Sequence, residues 1–262
     1  MTAKRAVRLH VFLVGSVVWH MMFDQGLAFQ HAYRCGYMEI VGFLLMNGRA
    51  DPTADDNAAI RWSSTKGHAD VVRLLLADGR VDPRAKDNQA IRISSADGHT
   101  DVVELLLADG RADPTLYDNQ AIQLSSFYGH AVVVKLLLAD ARVDPTARDN
   151  SAIRWSSESG HADVVKLLLE DGRADPAADD NYAIRYSSTR GHTPVVQLLL
   201  ADGRVDPTAN DNYSIRICIK NGQTKVVKML LADERVAAQL AFSKRPAARR
   251  RLKSAHLSWK ES

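Results

Sequence analysis

Apolar and polar positions along the chain follow two short patterns that alternate. In residues 194–202 the apolar side chains fall at three- and four-residue spacings, which is typical of one face of an α-helix. Residues 182–189 form a second helical stretch, for which we predict Asn181 as the N-cap. Gly191 and Gly203 are predicted to end the two helices, because glycine readily adopts the left-handed conformation of a helix C-terminus.

This helix–turn–helix unit recurs every 31 residues. The pair Asp-Asn begins at residues 56, 87, 118, 149, 180 and 211, and a fixed period of this size indicates an array of stacked repeats. Helices of about eight to ten residues are marginal on their own. Each unit must therefore bury its apolar face against its neighbours, and we predict an all-α solenoid.

The repeat resembles the ankyrin repeat. The likeness rests on the helix–turn–helix–loop unit, the Gly-His turn and the second-helix sequence Asp-Val-Val-Lys-Leu-Leu-Leu, and it covers residues 24–236. Two features differ. The family's Thr-Pro-Leu-His is replaced by x-Ala-Ile-Arg, and the period of 31 is shorter than the usual length of about 33. The resemblance implies a protein-interaction scaffold or adaptor that binds on its concave face and on hairpin fingers, which we expect to be short.

The register extends towards both ends of the chain. Residues 26–52 match a degenerate first unit with Tyr37 in the histidine position, and the last unit has Gln223 there. Residues 6–14 align with a lone second helix, which would cap the stack. We predict an N-terminal half-repeat cap (1–23), about seven repeats (24–236) and a basic C-terminal tail (237–262).

The recurring Gly-His pair suggests a metal ligand, but its spacing argues against one. Equivalent side chains in stacked helices lie about 8–10 Å apart, whereas zinc ligands must converge on one ion at about 2.0–2.1 Å. We therefore predict that each imidazole bonds backbone groups near the interhelical turn. The histidines are His68, His99, His130, His161 and His192.

A recurring arginine in the first helix allows two interpretations. It could form an anion site, or it could form ion pairs with the repeated aspartates, which we favour because those acids occur in every unit. The residue that follows this position is always large, and we interpret it as core packing. The arginines are Arg61, Arg92, Arg154, Arg185 and Arg216, and the large residues are Trp62, Ile93, Leu124, Trp155, Tyr186 and Ile217.

Partner-binding residues are expected where the repeats vary. The most variable positions are the residue before Asp-Asn, at the finger, and the two residues after Ser-Ser, near the end of the first helix. One repeat has an aromatic residue at each of these three positions, which is typical of an interface anchor. The alternative interpretation is sequence drift at surface sites that tolerate many residues. The predicted partner-binding residues are Tyr117, Phe127, Tyr128, Lys86, Arg148, Glu158 and Arg190.

The charge distribution adds one further candidate, the C-terminal tail. The chain has a formal net charge of +3, but its last twenty residues contain seven basic residues against one acidic residue. This segment resembles a nuclear import signal and could also contact nucleic acid or an anionic membrane; a solvated end is the alternative. The basic residues assigned to it are Lys244, Arg245, Arg249, Arg250, Arg251 and Lys253.

These patterns favour a protein-binding scaffold over an enzyme. The sequence contains no Gly-rich phosphate loop, catalytic triad or cluster of metal ligands, so we predict no catalytic residue, cofactor, metal or small-molecule substrate. We expect a monomer that binds a protein partner in the cytoplasm, with the nucleus as an alternative location. The alternative function is a nucleic-acid- or nucleus-associated factor that uses the basic tail.

Overall fold

The computed structural model describes residues 25–243. Within this range the chain forms fifteen α-helices and no β-strand, which confirms the predicted all-α fold. The predicted cap (1–23) and the basic residues of the predicted tail lie outside the described range.

Seven helix pairs follow one another along the described chain. The first helices of the pairs are α1 (Gln25–Cys35), α3 (Ala54–Thr65), α5 (Ala85–Ala96), α7 (Leu116–Tyr128), α9 (Ala147–Ser159), α11 (Ala178–Arg190) and α13 (Ala209–Lys220). The second helices are α2 (Met38–Met46), α4 (Ala69–Asp78), α6 (Thr100–Asp109), α8 (Ala131–Ala139), α10 (Ala162–Asp171), α12 (Thr193–Asp202) and α14 (Thr224–Ala232). A last helix, α15 (Glu234–Ser243), follows the seventh pair.

The described residues divide into two compact units. The first contains residues 25–121 and 139–143, and the second contains residues 122–138 and 144–243. Within the first unit α3 packs against α5, and within the second unit α11 packs against both α9 and α13. Neighbouring repeats in each unit are thus stacked in register.

One isoleucine and one leucine per repeat form the centre of the core. In the second unit, Ile184 of α11 and Leu199 of α12 are fully buried. Burying such a side chain contributes about 1.5–3 kcal/mol. The fully buried members of this set are Ile60, Leu75, Ile91, Leu106, Ile122, Leu137, Ile153, Leu168, Ile184, Leu199, Ile215 and Leu230.

The first helices from α3 onwards begin with an unexpected backbone turn. Three successive residues, of the pattern x-Asp-Asn, have left-handed dihedral angles with φ between 51° and 63°. This conformation costs about 1–2 kcal/mol per residue for most side chains, and asparagine and aspartate tolerate it best. The regular right-handed helix begins after the asparagine. The predicted N-cap role of Asn181 is wrong, because an N-cap residue has an extended backbone whereas Asn181 has φ 62°.

The asparagine of this turn instead bonds the extended segment that leads from its own helix pair into the next one. Asn181 Oδ1 accepts a hydrogen bond of 2.6 Å from the backbone N–H of Asp206, twenty-five residues later. The same bond, at 2.7 Å, joins Asn57 to Asp82, Asn88 to Asp113, and Asn150 to Asp175. The Asp-Asn motif is therefore a link to the segment that connects one repeat to the next, rather than a helix cap.

Helix α15 crosses the boundary that we predicted between repeats and tail. In earlier units the residues after the Arg-Val pair are Asp-Pro, as at 206–207, and proline keeps the preceding residue out of the helical region. The last unit has Ala237 and Ala238 there, and alanine is the strongest helix former. The chain therefore stays helical, with Val236 fully buried and Leu240 packed against the core.

Replacing Asn181 with alanine is expected to destabilise the protein more than replacing Asn212. Both residues have left-handed backbone, so the strain on alanine is similar. Within the described residues, however, Asn212 Oδ1 has no hydrogen-bond partner. Losing the bond to Asp206 should lower the free energy of unfolding by about a further 1–3 kcal/mol, measured by urea unfolding. Equal losses in the two variants would contradict this link.

Candidate functional site

The recurring histidine bonds the backbone of the preceding repeat. His192 Nε2 lies 2.9 Å from the carbonyl oxygen of Glu158, and His99 Nε2 lies 3.0 Å from that of Thr65. His68 and His161 make the same contact with Arg34 and Phe127. The predicted bonding to backbone is confirmed for these four histidines. The carbonyl lies at the end of the preceding first helix.

The glycine of the Gly-His pair makes room for this imidazole. A Cβ atom added at Gly160 would lie 2.6 Å from Nδ1 of His192, which is closer than real contacts allow. Gly160 also has φ 84°, a left-handed conformation that only glycine adopts without strain. The described residues contain no cluster of three or more histidine, cysteine or carboxylate side chains that could hold a metal ion.

The arginine row bonds the carbonyl groups of the left-handed turn. Arg185 donates from Nε to the Asp180 carbonyl at 2.8 Å and from Nη2 to the Asp179 carbonyl at 3.0 Å. Arg61 makes the same pair of bonds at 2.9 and 2.8 Å. These charge-assisted bonds stabilise the strained turn by about 1.5–3 kcal/mol each.

The predicted ion pairs are therefore wrong for most of this row. Within the described residues only Arg154 has carboxylates in range, with Asp179 at 2.5 Å and Asp149 at 3.9 Å. The reason is the unforeseen turn, which places two backbone carbonyls within reach of the guanidinium.

The interpretation of the large residue after each arginine position as core packing is correct only in part, because each of these residues is partly exposed while Ile217 also packs against the core of the second unit. In the regular helical part of α11, residues 182–190, the side chains with solvent access are Tyr182, Arg185, Tyr186, Thr189 and Arg190, which share one face at helical spacing. The buried side chains lie on the opposite face. Trp62 in the first unit is 36% exposed, and Ile93, Leu124, Trp155, Tyr186 and Ile217 are partly exposed. We call this solvent-facing side the first-helix face.

Two of the predicted partner-binding residues lie at finger positions in the first unit, and each contacts the turn of the preceding repeat. Lys86 Nζ lies 2.6 Å from Asp56 Oδ2. The Tyr117 hydroxyl donates a hydrogen bond of 2.8 Å to Asp87, which raises the pKa of the tyrosine. Tyr117 is 47% exposed and also lies under the guanidinium of Arg92. These positions therefore combine an exposed surface with a contact inside the fold.

Glu158 and Arg190 contact each other in the second unit. One Glu158 oxygen accepts a hydrogen bond from Arg190 and the other from the Tyr182 hydroxyl, both at 2.5 Å. Burial disfavours the charged carboxylate, but these two bonds outweigh burial and hold the pKa of Glu158 below its usual value. Arg148, at the finger, accepts a bond of 3.2 Å on its carbonyl from Arg154. Sequence reasoning missed Tyr182 as a member of this network.

Phe127 and Tyr128 form an exposed aromatic group in the second unit. They are 42% and 55% exposed, and their rings meet edge to face with centroids 5.0 Å apart. Trp155, on the first-helix face of the next repeat, extends the group with its centroid 6.3 Å from that of Phe127. The predicted anchor thus gains a third ring that the sequence interpretation had assigned to the core.

Tyrosine and arginine side chains continue this surface along the second unit. Tyr182 and Tyr186 stack with centroids 4.0 Å apart. Arg154 lies 5.2 Å from the centre of the Tyr182 ring, and Arg185 lies 5.6 Å from that of Tyr186. Arginine packed on a tyrosine face gains a cation–π attraction, which orients the guanidinium.

The repeat matches a known family along nearly all of the described chain. The family described as ankyrin repeats (3 copies) matches residues 28–118, 88–180 and 156–239. The chain belongs to the ankyrin-repeat family. Ankyrin repeats are in general protein–protein interaction modules and are typically non-enzymatic. A search of curated proteins finds no match to the chain.

This ankyrin array has no membrane-crossing element in the part that the structure describes, because no helix there is both long and apolar enough. The basic residues predicted for the tail, from Lys244 to Lys253, lie outside the described residues.

Substituting Gly160 with alanine is expected to destabilise the ankyrin stack more than substituting Gly203. Both glycines have positive φ, at 84° and 82°, but a Cβ at Gly203 meets no atom within 4 Å. The extra loss at Gly160, from the clash with His192, should be about 1–3 kcal/mol by chemical denaturation. Adding His192→Ala should remove this extra loss. If the double variant keeps the extra loss, the His192 imidazole is not the reason why position 160 requires glycine.

Proposed function

We propose that this protein is a non-enzymatic scaffold that binds a protein partner on the first-helix face and at the fingers. The proposal rests mainly on the row of large, partly exposed side chains that recurs on this face in every repeat from Trp62 to Ile217. Large apolar and aromatic side chains that the fold leaves open to solvent are the usual anchors of protein interfaces.

The second helices also carry partly exposed leucines, as at Leu198 and Leu200, and these pack against the core. They differ from the first helices at one recurring position. The exposed residue after the Val-Val pair is polar in all six repeats that carry the full pattern. The polar residues are Arg73, Glu104, Lys135, Lys166, Gln197 and Lys228.

The predicted anchor residues fit this surface. Phe127 and Tyr128 pack with Trp155 on the first-helix face of the second unit. Glu158 and Arg190 lie on the same side and supply polar groups, as at the rim of a typical interface. Lys86, Tyr117 and Arg148 are the finger positions that we propose as further partner contacts.

Replacing the exposed pair Phe127 and Tyr128 is expected to weaken partner binding without destabilising the fold. The double change Phe127→Ala with Tyr128→Asp copies Ala96 and Asp97 of another repeat, so the scaffold tolerates both side chains. Hot-spot truncation typically costs about 2 kcal/mol, or roughly thirtyfold in affinity. The main partner is captured with the full chain and identified by mass spectrometry. Its affinity for the wild-type protein and for the double variant is then measured by calorimetry.

A matched control is Val132→Asp, which copies Asp101 and removes an equally exposed apolar residue from the second helix α8. It should bind the partner normally. Comparable weakening in both variants, or normal binding by the double variant, would place the interface elsewhere. The alternative is a nucleic-acid-associated role for the tail. It would be favoured if partner capture disappeared on deleting residues 244–262 and fell steeply with increasing salt concentration.

A further inference from the structure

We infer that the segment bound on the first-helix face of the second unit is an acidic stretch of the partner protein. This inference rests on the proposed function and specifies its ligand. The solvent-facing helical runs 151–159, 182–190 and 213–220 contain five basic residues and one acidic residue. The exposed aspartates of the same three helices, Asp149, Asp179, Asp180 and Asp211, lie in the left-handed turns at the finger end, so the excess of positive charge belongs to the helical runs alone.

Three of these basic groups lack a charged partner. Arg154 pairs with Asp179 and Arg190 pairs with Glu158. Among the residues that the structure describes, no carboxylate lies within 4.0 Å of the cationic nitrogens of Arg185, Arg216 or Lys220. The basic groups without an ion-pair partner therefore lie on the helical runs of α11 and α13, beside the exposed row of large side chains.

Arg185 is already oriented for binding. Nε and Nη2 bond the turn carbonyls, and the guanidinium lies near the rings of both Tyr186 and Tyr213, at 5.6 and 5.8 Å. Its Nη1 hydrogens stay available, since arginine has five donors. A side chain that is held in place loses little conformational entropy on binding. A carboxylate fits such a site because charge-assisted bonds to arginine are strong.

The tyrosines favour a peptide over a single-stranded nucleic acid. Non-specific single-strand binding depends on open ring faces on which bases stack. Here Tyr182 and Tyr186 stack on each other with an interplanar angle of 22°, and Arg185 lies over rings of Tyr186 and Tyr213. The edges of these tyrosine rings are therefore what α11 and α13 offer to a partner, and they suit peptide groups.

The test is a selection of peptides by the full chain from a phage-displayed library of random sequences. We expect the enriched pool to be acidic relative to the starting library. The most enriched peptide, synthesised with a fluorescent label, should bind about tenfold more weakly to the Arg216→Gln, Lys220→Gln variant. This variant should fold, because Arg216 makes one long hydrogen bond of 3.4 Å and Lys220 takes part in no ion pair among the described residues.

The control variant Lys225→Gln, Lys228→Gln makes the same charge change at two exposed residues of the second helix α14 and should keep wild-type affinity. The inference would be overturned by a neutral or basic pool, by no enrichment, or by an equal loss of affinity in both charge variants. It would also be overturned if a fluorescein-labelled oligothymidylate displaced the peptide at a lower concentration than the unlabelled peptide does. A pool that is sensitive to Phe127→Ala, Tyr128→Asp but not to Arg216→Gln, Lys220→Gln would overturn only the acidic ligand. A pool sensitive to neither would count against both proposals.

Discussion

Hydrogen bonds from each repeat to backbone groups of its neighbour and of the segment between them are the interaction on which the rest of the structure depends. Tight turns leave N–H and carbonyl groups without partners in their own repeat, and buried groups of this kind must be bonded. In the second unit, the imidazole of His192 bonds the Glu158 carbonyl, and the amide oxygen of Asn181 bonds the Asp206 N–H. Apolar contacts bring the helices together, but these directional bonds fix how far one repeat is displaced from the next.

The parts of the fold that follow from helical periodicity could be predicted, whereas the left-handed turn could not. A run of three residues with positive φ has no strong sequence signal when its first residue is Lys86, Tyr117 or Arg148. The recurring Asp-Asn pair was the available clue, since both residues tolerate this region. Missing the turn also led to the wrong partners for the arginines, because the carbonyls that they bond exist only in that conformation.

Sequence reasoning selected the variable positions of the candidate surface and missed the constant ones. Phe127 and Tyr128 stand out because other repeats have small or charged residues there, and the structure shows both exposed. Trp155 and Tyr186 belong to a row that is large in every repeat, so their constancy resembled a core. Helical spacing from Tyr182 and Arg185 would have placed Tyr186 on the solvent side, as the structure does. The exposed surface therefore contains both constant and variable side chains.

The unbonded amide oxygen of Asn212 has a consequence for how the array comes apart. The bond that Asn181 makes is absent at Asn212, because the chain continues as α15 where earlier repeats have an extended segment. In an array stabilised by nearest neighbours, the last repeat has the fewest contacts to lose. Opening the last helix pair therefore breaks no asparagine bond of this kind, whereas opening the segment around Asp206 breaks the bond to Asn181. Within the second unit, local opening at the C-terminal pair should therefore need the least free energy.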